Sequence, residues 1–84
     1  MLIIYSSLAK EDRTHWEKYD HKIVKRIDEL LVDIQKNKNK GIGKPEPLRF
    51  AWSGYWSRRI NNEHRLVYKI IDRTIYIAQC RYHY

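Results

Sequence analysis

An apolar stripe between residues 23 and 34 constrains the fold of this chain more than any other feature of the sequence. Its members recur at the 3.6-residue period of an α-helix with one buried face: Ile23, Val24, Ile27, Leu30, Leu31 and Ile34. Asp20 precedes the stripe as a candidate N-cap, and Asp33 falls on the side predicted to face solvent. Such a helix is stable only when its stripe packs on another layer. A second layer must therefore come from elsewhere in the chain.

The second half of the chain supplies that layer as short β-prone runs. Three runs, separated by two tight turns, cover residues 55–60, 64–71 and 74–82. Short turns between such runs predict an antiparallel meander. Leu2–Tyr5 predicts an opening strand. Together with the stripe, these runs predict an α+β fold in which the helices lie on one side of the sheet.

A first helix is predicted between the opening strand and the apolar stripe. It begins near Leu8 after two serines that can cap it, and it ends at about Tyr19. Leu8, Asp12, Trp16 and Tyr19 are predicted to lie near one stripe of this helix. The two helices then form an antiparallel hairpin on one face of the sheet. No internal boundary is needed, so we expect a single domain over residues 1–84.

The charge of the chain indicates a polyanionic partner. Seventeen Lys and Arg residues against ten Asp and Glu residues give a net charge of +7 in 84 residues, which favours nucleic acid. An acidic protein partner or simple solubility would use the same charge. The single cysteine, Cys80, excludes an intramolecular disulfide. Because no long uncharged apolar run is present either, we expect a cytoplasmic protein with no membrane contact.

The last four residues carry the densest chemistry in the chain. Arg81, Tyr82, His83 and Tyr84 directly follow the last β-prone run. A guanidinium can hold a phosphate, an imidazole can transfer a proton near neutral pH, and a phenol ring can stack on a base. The terminus is therefore a candidate RNA-contacting site.

Glu46 lies between Pro45 and Pro47, and the two prolines predict a stiff, extended segment. A pre-ordered carboxylate in a basic stretch is suited to act as a general base. A loop glutamate between two turn-forming prolines is the alternative interpretation, and the residues alone leave both open.

Arg59 and Arg65 flank the same predicted turn, so both side chains can converge on one phosphate. The alternative is a solvated hairpin with an Arg59–Glu63 ion pair. A cluster of aromatic residues just before the meander is predicted to pack in the core or to stack on bases. Its members are Trp52, Tyr55 and Trp56.

The chain lacks the sequence motifs of several classes of enzyme. It has no glycine-rich phosphate loop, no nucleophile elbow and no HExxH motif. Cys80 and His83 form one pair without a second pair at ligand spacing. We therefore expect no metal site and no cofactor, so that any catalysis must use acids, bases and cations of the chain.

Four segments of the sequence resemble the YoeB family of toxins, within the broader RelE/ParE superfamily. They are residues 43–48, 53–60, 62–68 and 80–84. The resemblance extends over essentially all 84 residues. It implies a small α+β domain in which a twisted antiparallel sheet carries two helices on one face, and a toxin that cuts mRNA in the ribosomal A site.

The resemblance also implies which residues act. The catalytic set is Glu46, Arg65, His83 and Tyr84, and the supporting residues are Arg59 and Glu63. We expect Glu46 to take the proton of the 2′-OH and Arg65 to stabilise the phosphorane. We expect His83 to protonate the leaving oxygen and Tyr84 to position the phosphate or the base.

The partners implied are the 70S ribosome with its mRNA, a YefM-like antitoxin with an acidic C-terminal segment, and a second copy of the chain. The residues expected to contact RNA are Lys36, Lys38, Lys40, Lys44, Arg49 and Arg81. Two other functions stay open. One is a ParE-like toxin that poisons DNA gyrase without cutting RNA, and the other is a module that only holds an RNA strand.

Overall fold

The computed structural model describes residues 1–82, in which two helices pack on one face of a five-stranded sheet. The elements in chain order are β1 (Leu2–Tyr5), α1 (Ser7–Tyr19), α2 (His21–Asn37), β2 (Glu46–Pro47), β3 (Trp56–Arg59), β4 (Arg65–Ile71) and β5 (Thr74–Gln79). The predicted α+β fold with a helical hairpin is confirmed. His83 and Tyr84, both in the predicted catalytic set, lie outside the described residues.

Both helices begin at the predicted caps. The Ser6 side chain accepts a hydrogen bond from the Ala9 backbone N–H, and the Asp20 side chain accepts one from Lys22 at 3.1 Å. In α1, however, Leu8 is 52% exposed and Tyr19 is 66% exposed. The predicted stripe was wrong at its ends. The buried positions, Ala9, Asp12 and Trp16, also follow the helical period but lie around a different line on the surface.

The strand order across the sheet is β1-β5-β4-β3-β2. Strands β3 to β5 pair antiparallel, as the short turns predict, and β2 also pairs antiparallel with β3 after the longer segment 48–55. Strand β1 differs, because it pairs parallel to β5 in the register Leu2↔Thr74 to Tyr5↔Ile77. Parallel neighbours need a long connection, and the helices and three other strands separate these two along the chain. No helix within residues 1–82 is long and apolar enough to cross a bilayer.

The two faces of the sheet have different environments, because successive side chains along a strand point to opposite sides. One face packs on α1 and α2 and forms the core with Ile27, Leu30, Ile34, Leu66, Tyr68, Ile75 and Ile77. We call the side away from the helices the open face. Its side chains are Glu46, Ser57, Arg59, Arg65, Val67, Lys69, Tyr76 and Gln79.

Arg58 is fully buried on the helix side of β3, where it forms an ion pair with Asp33 of α2. Its guanidinium also donates to the backbone carbonyls of Lys38 and Lys40 at 2.6 Å and of Ile42 at 3.0 Å. The prediction that Asp33 faces solvent was therefore wrong. The Arg58 guanidinium lowers the pKa of the Asp33 carboxyl. These contacts bind the loop after α2 to the sheet.

Candidate active site on the open sheet face

Glu46 lies at one end of a row of side chains that crosses four strands. The row consists of Glu46, Ser57, Val67 and Gln79. Directly opposite side chains in antiparallel strands have Cβ atoms about 4.5–5.5 Å apart. Ser57 and Val67 are buried, whereas Glu46 is exposed. Because Glu46 lies in β2, it has the extended backbone that its flanking prolines predict. Its exposed side chain lies beside the buried Ser57.

Arg59 and Arg65 lie directly opposite each other in the next row of the open face. Like charges at such a position destabilise a sheet. Among residues 1–82, no ion pair joins either guanidinium to an Asp or Glu carboxylate, so the alternative Arg59–Glu63 pair is not found there. The register places the two arginines opposite each other, and their convergence on one phosphate stays a prediction. Their arrangement suits a bound phosphate, which would offset the repulsion.

The guanidinium of Arg65 is held by the turn between β3 and β4. Its Nη1 donates to the carbonyl oxygens of Asn61 at 2.8 Å, His64 at 3.1 Å and Asn62 at 3.3 Å. The Asn61 side chain in turn accepts from the backbone N–H groups of Glu63 and His64. The turn therefore sets the direction of the Arg65 side chain before any ligand binds.

Tyr82, the last described residue, is hydrogen-bonded beside Arg65. The backbone N–H of Tyr82 donates to Nδ1 of His64 at 2.7 Å, and the Tyr82 carbonyl accepts from the Arg65 backbone N–H at 3.1 Å. His64 itself is 7% exposed and packs edge-on against Trp16, with ring centroids 4.7 Å apart. The sequence left the role of His64 open, and the structure shows that it anchors the segment before His83.

The two residues after β5 are held by buried polar contacts. The Cys80 backbone N–H donates to Oδ2 of Asp12 at 3.0 Å, and burial raises the pKa of the Asp12 carboxyl. Burial also raises the pKa of the Cys80 thiol to about 12, so that this group stays protonated at neutral pH. The Arg81 guanidinium lies over the rings of Tyr82 and Trp16, with its carbon 4.6 Å and 5.8 Å from their centroids.

The predicted RNA contacts other than Arg81 are all exposed. They are Lys36, Lys38, Lys40, Lys44 and Arg49. Lys36 lies in the last turn of α2, and the others lie in the segments on either side of β2. Arg58 holds the loop after α2 through the backbone carbonyls of Lys38 and Lys40. The lysine side chains therefore remain exposed near the strand that carries Glu46. Glu63, the second supporting residue, is also exposed, with Oε1 3.9 Å from Nε2 of His64.

A cavity of about 710 Å³ opens beside Glu46 and is lined by residues 46–52. Phe50 stands at this cavity with 93% of its surface exposed and a φ of +56°. An aromatic residue seldom adopts this left-handed backbone, and such strain concentrates at functional sites. Phe50 was not among the predicted site residues, because nothing in its local sequence pattern indicates a positive φ there.

The three aromatic residues before the meander separate into two groups. Trp56 packs on the core from the helix side. Trp52 and Tyr55 lie together on the other side of the sheet, with ring centroids 5.1 Å apart. The sequence had left core packing and base stacking as alternatives for the whole cluster, whereas the structure places only one member against the core cluster. No group of three His, Cys, Asp or Glu side chains within residues 1–82 is arranged to hold a metal ion.

Comparison with known proteins identifies the family to which this arrangement belongs. Residues 5–84 match the family model of the YoeB-like toxin of bacterial type II toxin–antitoxin systems. The chain is 52% identical to a toxin YoeB of Streptomyces coelicolor over 84 residues, which is the full length of both chains.

Two solved structures from Staphylococcus aureus have the same fold. The chain superposes on a YoeB dimer with a TM-score of 0.95 and 50% identity, covering 100% of this chain and 98% of that one. It superposes on a YoeB–YefM complex with a TM-score of 0.93 and 50% identity, covering 100% and 99%. With the family match over nearly its whole length, the chain belongs to the YoeB-like toxins of bacterial type II toxin–antitoxin systems.

Proposed function

We propose that this toxin is a ribosome-dependent endoribonuclease that cleaves mRNA in the ribosomal A site. One observation carries the proposal: the sheet register brings the carboxylate of Glu46 and the opposed guanidiniums of Arg59 and Arg65 onto one open face. The backbone of Tyr82, which immediately precedes His83 in the sequence, is hydrogen-bonded to that of Arg65. A base, a phosphate site and the sequence-adjacent imidazole are the groups that RNA cleavage by its own 2′-OH requires.

The chemistry follows from these groups. Glu46 takes the proton of the 2′-OH, and the 2′ oxygen attacks the adjacent phosphorus. Arg65, with Arg59 opposite it, stabilises the negative charge of the pentavalent phosphorane. His83 gives its proton to the 5′ oxygen as the P–O5′ bond breaks. The products are a 2′,3′-cyclic phosphate and a free 5′-OH, and the two protons balance.

Tyr84 and Glu63 have positioning roles in this proposal. Tyr84 holds the phosphate by hydrogen bonding or the target base by stacking. Glu63 borders the turn that directs Arg65 and lies near His64, which anchors the Tyr82 backbone. Its carboxylate would act through these neighbours and would not touch the reacting atoms.

The test is cleavage by the purified protein on ribosomes programmed with a defined mRNA. We expect cuts within the A-site codon, 2′,3′-cyclic phosphate ends, and no cuts when the A site holds a tRNA. Cells that arrest with intact mRNA and broken chromosomes would instead indicate gyrase poisoning. Ribosome binding without any cleavage would leave only an RNA-binding module.

The exposed lysines predict a salt-dependent step that is separate from the chemistry. Replacing Lys36 and Lys40 together with glutamine should weaken ribosome binding. It should also lower the slope of log affinity against log salt by about two, one for each lost phosphate contact. Single-turnover cleavage on ribosomes saturated with the variant should stay near the parent rate. The double variant of Lys22 and Lys25, which are exposed at the N-terminal end of α2, is the matched control. A slower chemical step in the variant would instead place Lys36 and Lys40 inside the active site.

We also propose two protein partners, by similarity to the relatives that form them. A YefM-like antitoxin would place its acidic C-terminal segment on the basic open face and compete with the terminal residues, as a disordered inhibitor that folds on binding. A second copy of the chain would form a homodimer, since one Staphylococcus aureus relative is described as a dimer. Acting on ribosomes places the toxin in the cytoplasm.

A further inference from the structure

A second group of side chains on the open face has no part in the mechanism above. Lys69 of β4 lies opposite Tyr76 of β5, and its Nζ is 5.9 Å from the centroid of that ring. The same Nζ is 4.7 Å from the ring centroid of Tyr55, which precedes β3. A lysine thus stands between two tyrosine rings, with its ammonium within cation–π distance of both.

These three residues line a separate cavity. Its volume is about 290 Å³, and its remaining wall includes Trp52, Ile4 and Ala78. Tyr55 and Tyr76 are partly exposed, so their rings are available to a ligand. Ser6 supports the wall because its Oγ donates to the Ala78 carbonyl at 2.7 Å. The cavity is therefore built from strands β1, β4 and β5 and from the segment before β3.

The cavity lies one side-chain row from Glu46. Tyr55 is two residues before Ser57, which is the cross-strand neighbour of Glu46. Two residues along a strand span about 7 Å, and neighbouring nucleotides of an extended RNA strand bridge such a distance. The arginine pair occupies the row on the other side of Glu46. A strand that crosses the open face from the arginines passes the row of Glu46 and then the cavity.

We propose that Tyr55, Lys69 and Tyr76 form a nucleotide subsite that holds a base of the RNA substrate beside the cleaved linkage. A tyrosine ring stacks on the base, and the Lys69 ammonium contacts the neighbouring phosphate. The inference depends on the proposed function, because it takes the same RNA strand as its ligand. Aromatic rings combined with a cation are the usual recognition elements for single-stranded RNA, and they accept every base.

RNA fits this cavity better than an acidic peptide does. A peptide carboxylate would use Lys69 but would gain little from two ring faces, whereas a nucleotide uses the rings and the charge together. The cavity also continues the surface of the arginine pair, where a phosphate is expected. Binding of the antitoxin segment at this position is the competing outcome of the test.

The test uses the free toxin and a short single-stranded RNA with 2′-O-methyl groups, which cannot be cleaved. Tyr55→Leu and Tyr76→Leu should each lower the affinity by about five- to a hundredfold if the ring stacks on a base. Tyr76→Phe keeps the ring and should restore binding. Lys69→Gln should reduce the salt slope by about 0.7, the value for one phosphate contact on a single strand.

A matched control lies on α1, where Lys18 Nζ is 5.3 Å from the ring centroid of the exposed Tyr19. Tyr19→Leu and Lys18→Gln should leave RNA binding unchanged. Thermal melting of each variant separates lost binding from lost folding. Well-folded variants of Tyr55 and Tyr76 that bind the RNA with parent affinity would overturn the subsite. If they lost only the antitoxin segment, the cavity would belong to the protein partner.

A second measurement separates the subsite from the cleavage proposal. Programmed ribosomes carry an mRNA with one abasic nucleotide on either side of the A-site cut. Loss of the base at one flanking position should slow cleavage by the parent toxin and should not slow the Tyr76→Leu variant further. Additive losses would overturn the subsite even if A-site cleavage is observed. If the parent toxin does not cleave, the oligonucleotide binding alone decides the subsite.

Discussion

Replacing His83 with glutamine is expected to slow single-turnover mRNA cleavage on programmed ribosomes by at least about a hundredfold. Ribosome binding should not change, since glutamine keeps a polar side chain of similar size. The reason is that the 5′ oxygen is a poor leaving group without a proton, and a positioned acid contributes about 10²–10⁴-fold. Glu46→Gln should cause a loss of the same order through the other half of the proton transfer.

A modified substrate separates the two roles. When the bridging 5′ oxygen is replaced by sulfur, the leaving thiol has a much lower pKa, near that of cysteine at about 8.5, and needs no proton from the enzyme. The His83→Gln variant should then cleave at nearly the parent rate, whereas Glu46→Gln should remain slow. His15→Gln on α1 is the control for loss of a histidine. Parent-like cleavage of the normal substrate by His83→Gln would refute the acid assignment.

Replacing Arg58 with methionine is expected to lower the free energy of unfolding by about 3–5 kcal/mol. The substitution keeps the long aliphatic part of the side chain but removes every donor of a fully buried guanidinium. Asp33 and the carbonyls of Lys38, Lys40 and Ile42 then lose the hydrogen bonds that Arg58 donates. Urea denaturation at one fixed protein concentration measures the loss.

The loss caused by Arg58→Met should depend on pH. The ion pair lowers the pKa of Asp33 from its ordinary value of 3.8, so its stabilisation is full above that pH and disappears as the pH falls through the lowered pKa. The difference between parent and variant should therefore shrink as the pH falls from about 5 through the lowered pKa of Asp33. Arg26→Met, which removes a surface pair with Glu29, should cost about 0–1 kcal/mol. An equally small loss for Arg58→Met would contradict the structural role of this side chain.

Features with a local physical cause could be predicted from the sequence alone. The stripe from Ile23 to Ile34 determines one helix and its buried face, because the period is a property of neighbouring positions. Asp20 and Ser6 determine helix starts through bonds to nitrogens two or three residues away. Short turns determine the antiparallel pairing of consecutive strands, which is why Arg59 and Arg65 were expected to meet.

Features that depend on residues distant in the chain were decided only by the tertiary structure. The parallel position of β1, the burial of Arg58 against Asp33 and the grouping of Lys69 with Tyr55 join segments between 14 and 72 positions apart. Local propensity carries no information about which remote side chain meets another, because packing and register are settled by the whole core at once. The sequence therefore determined which groups are available for chemistry, and the sheet register decided which of them share one face.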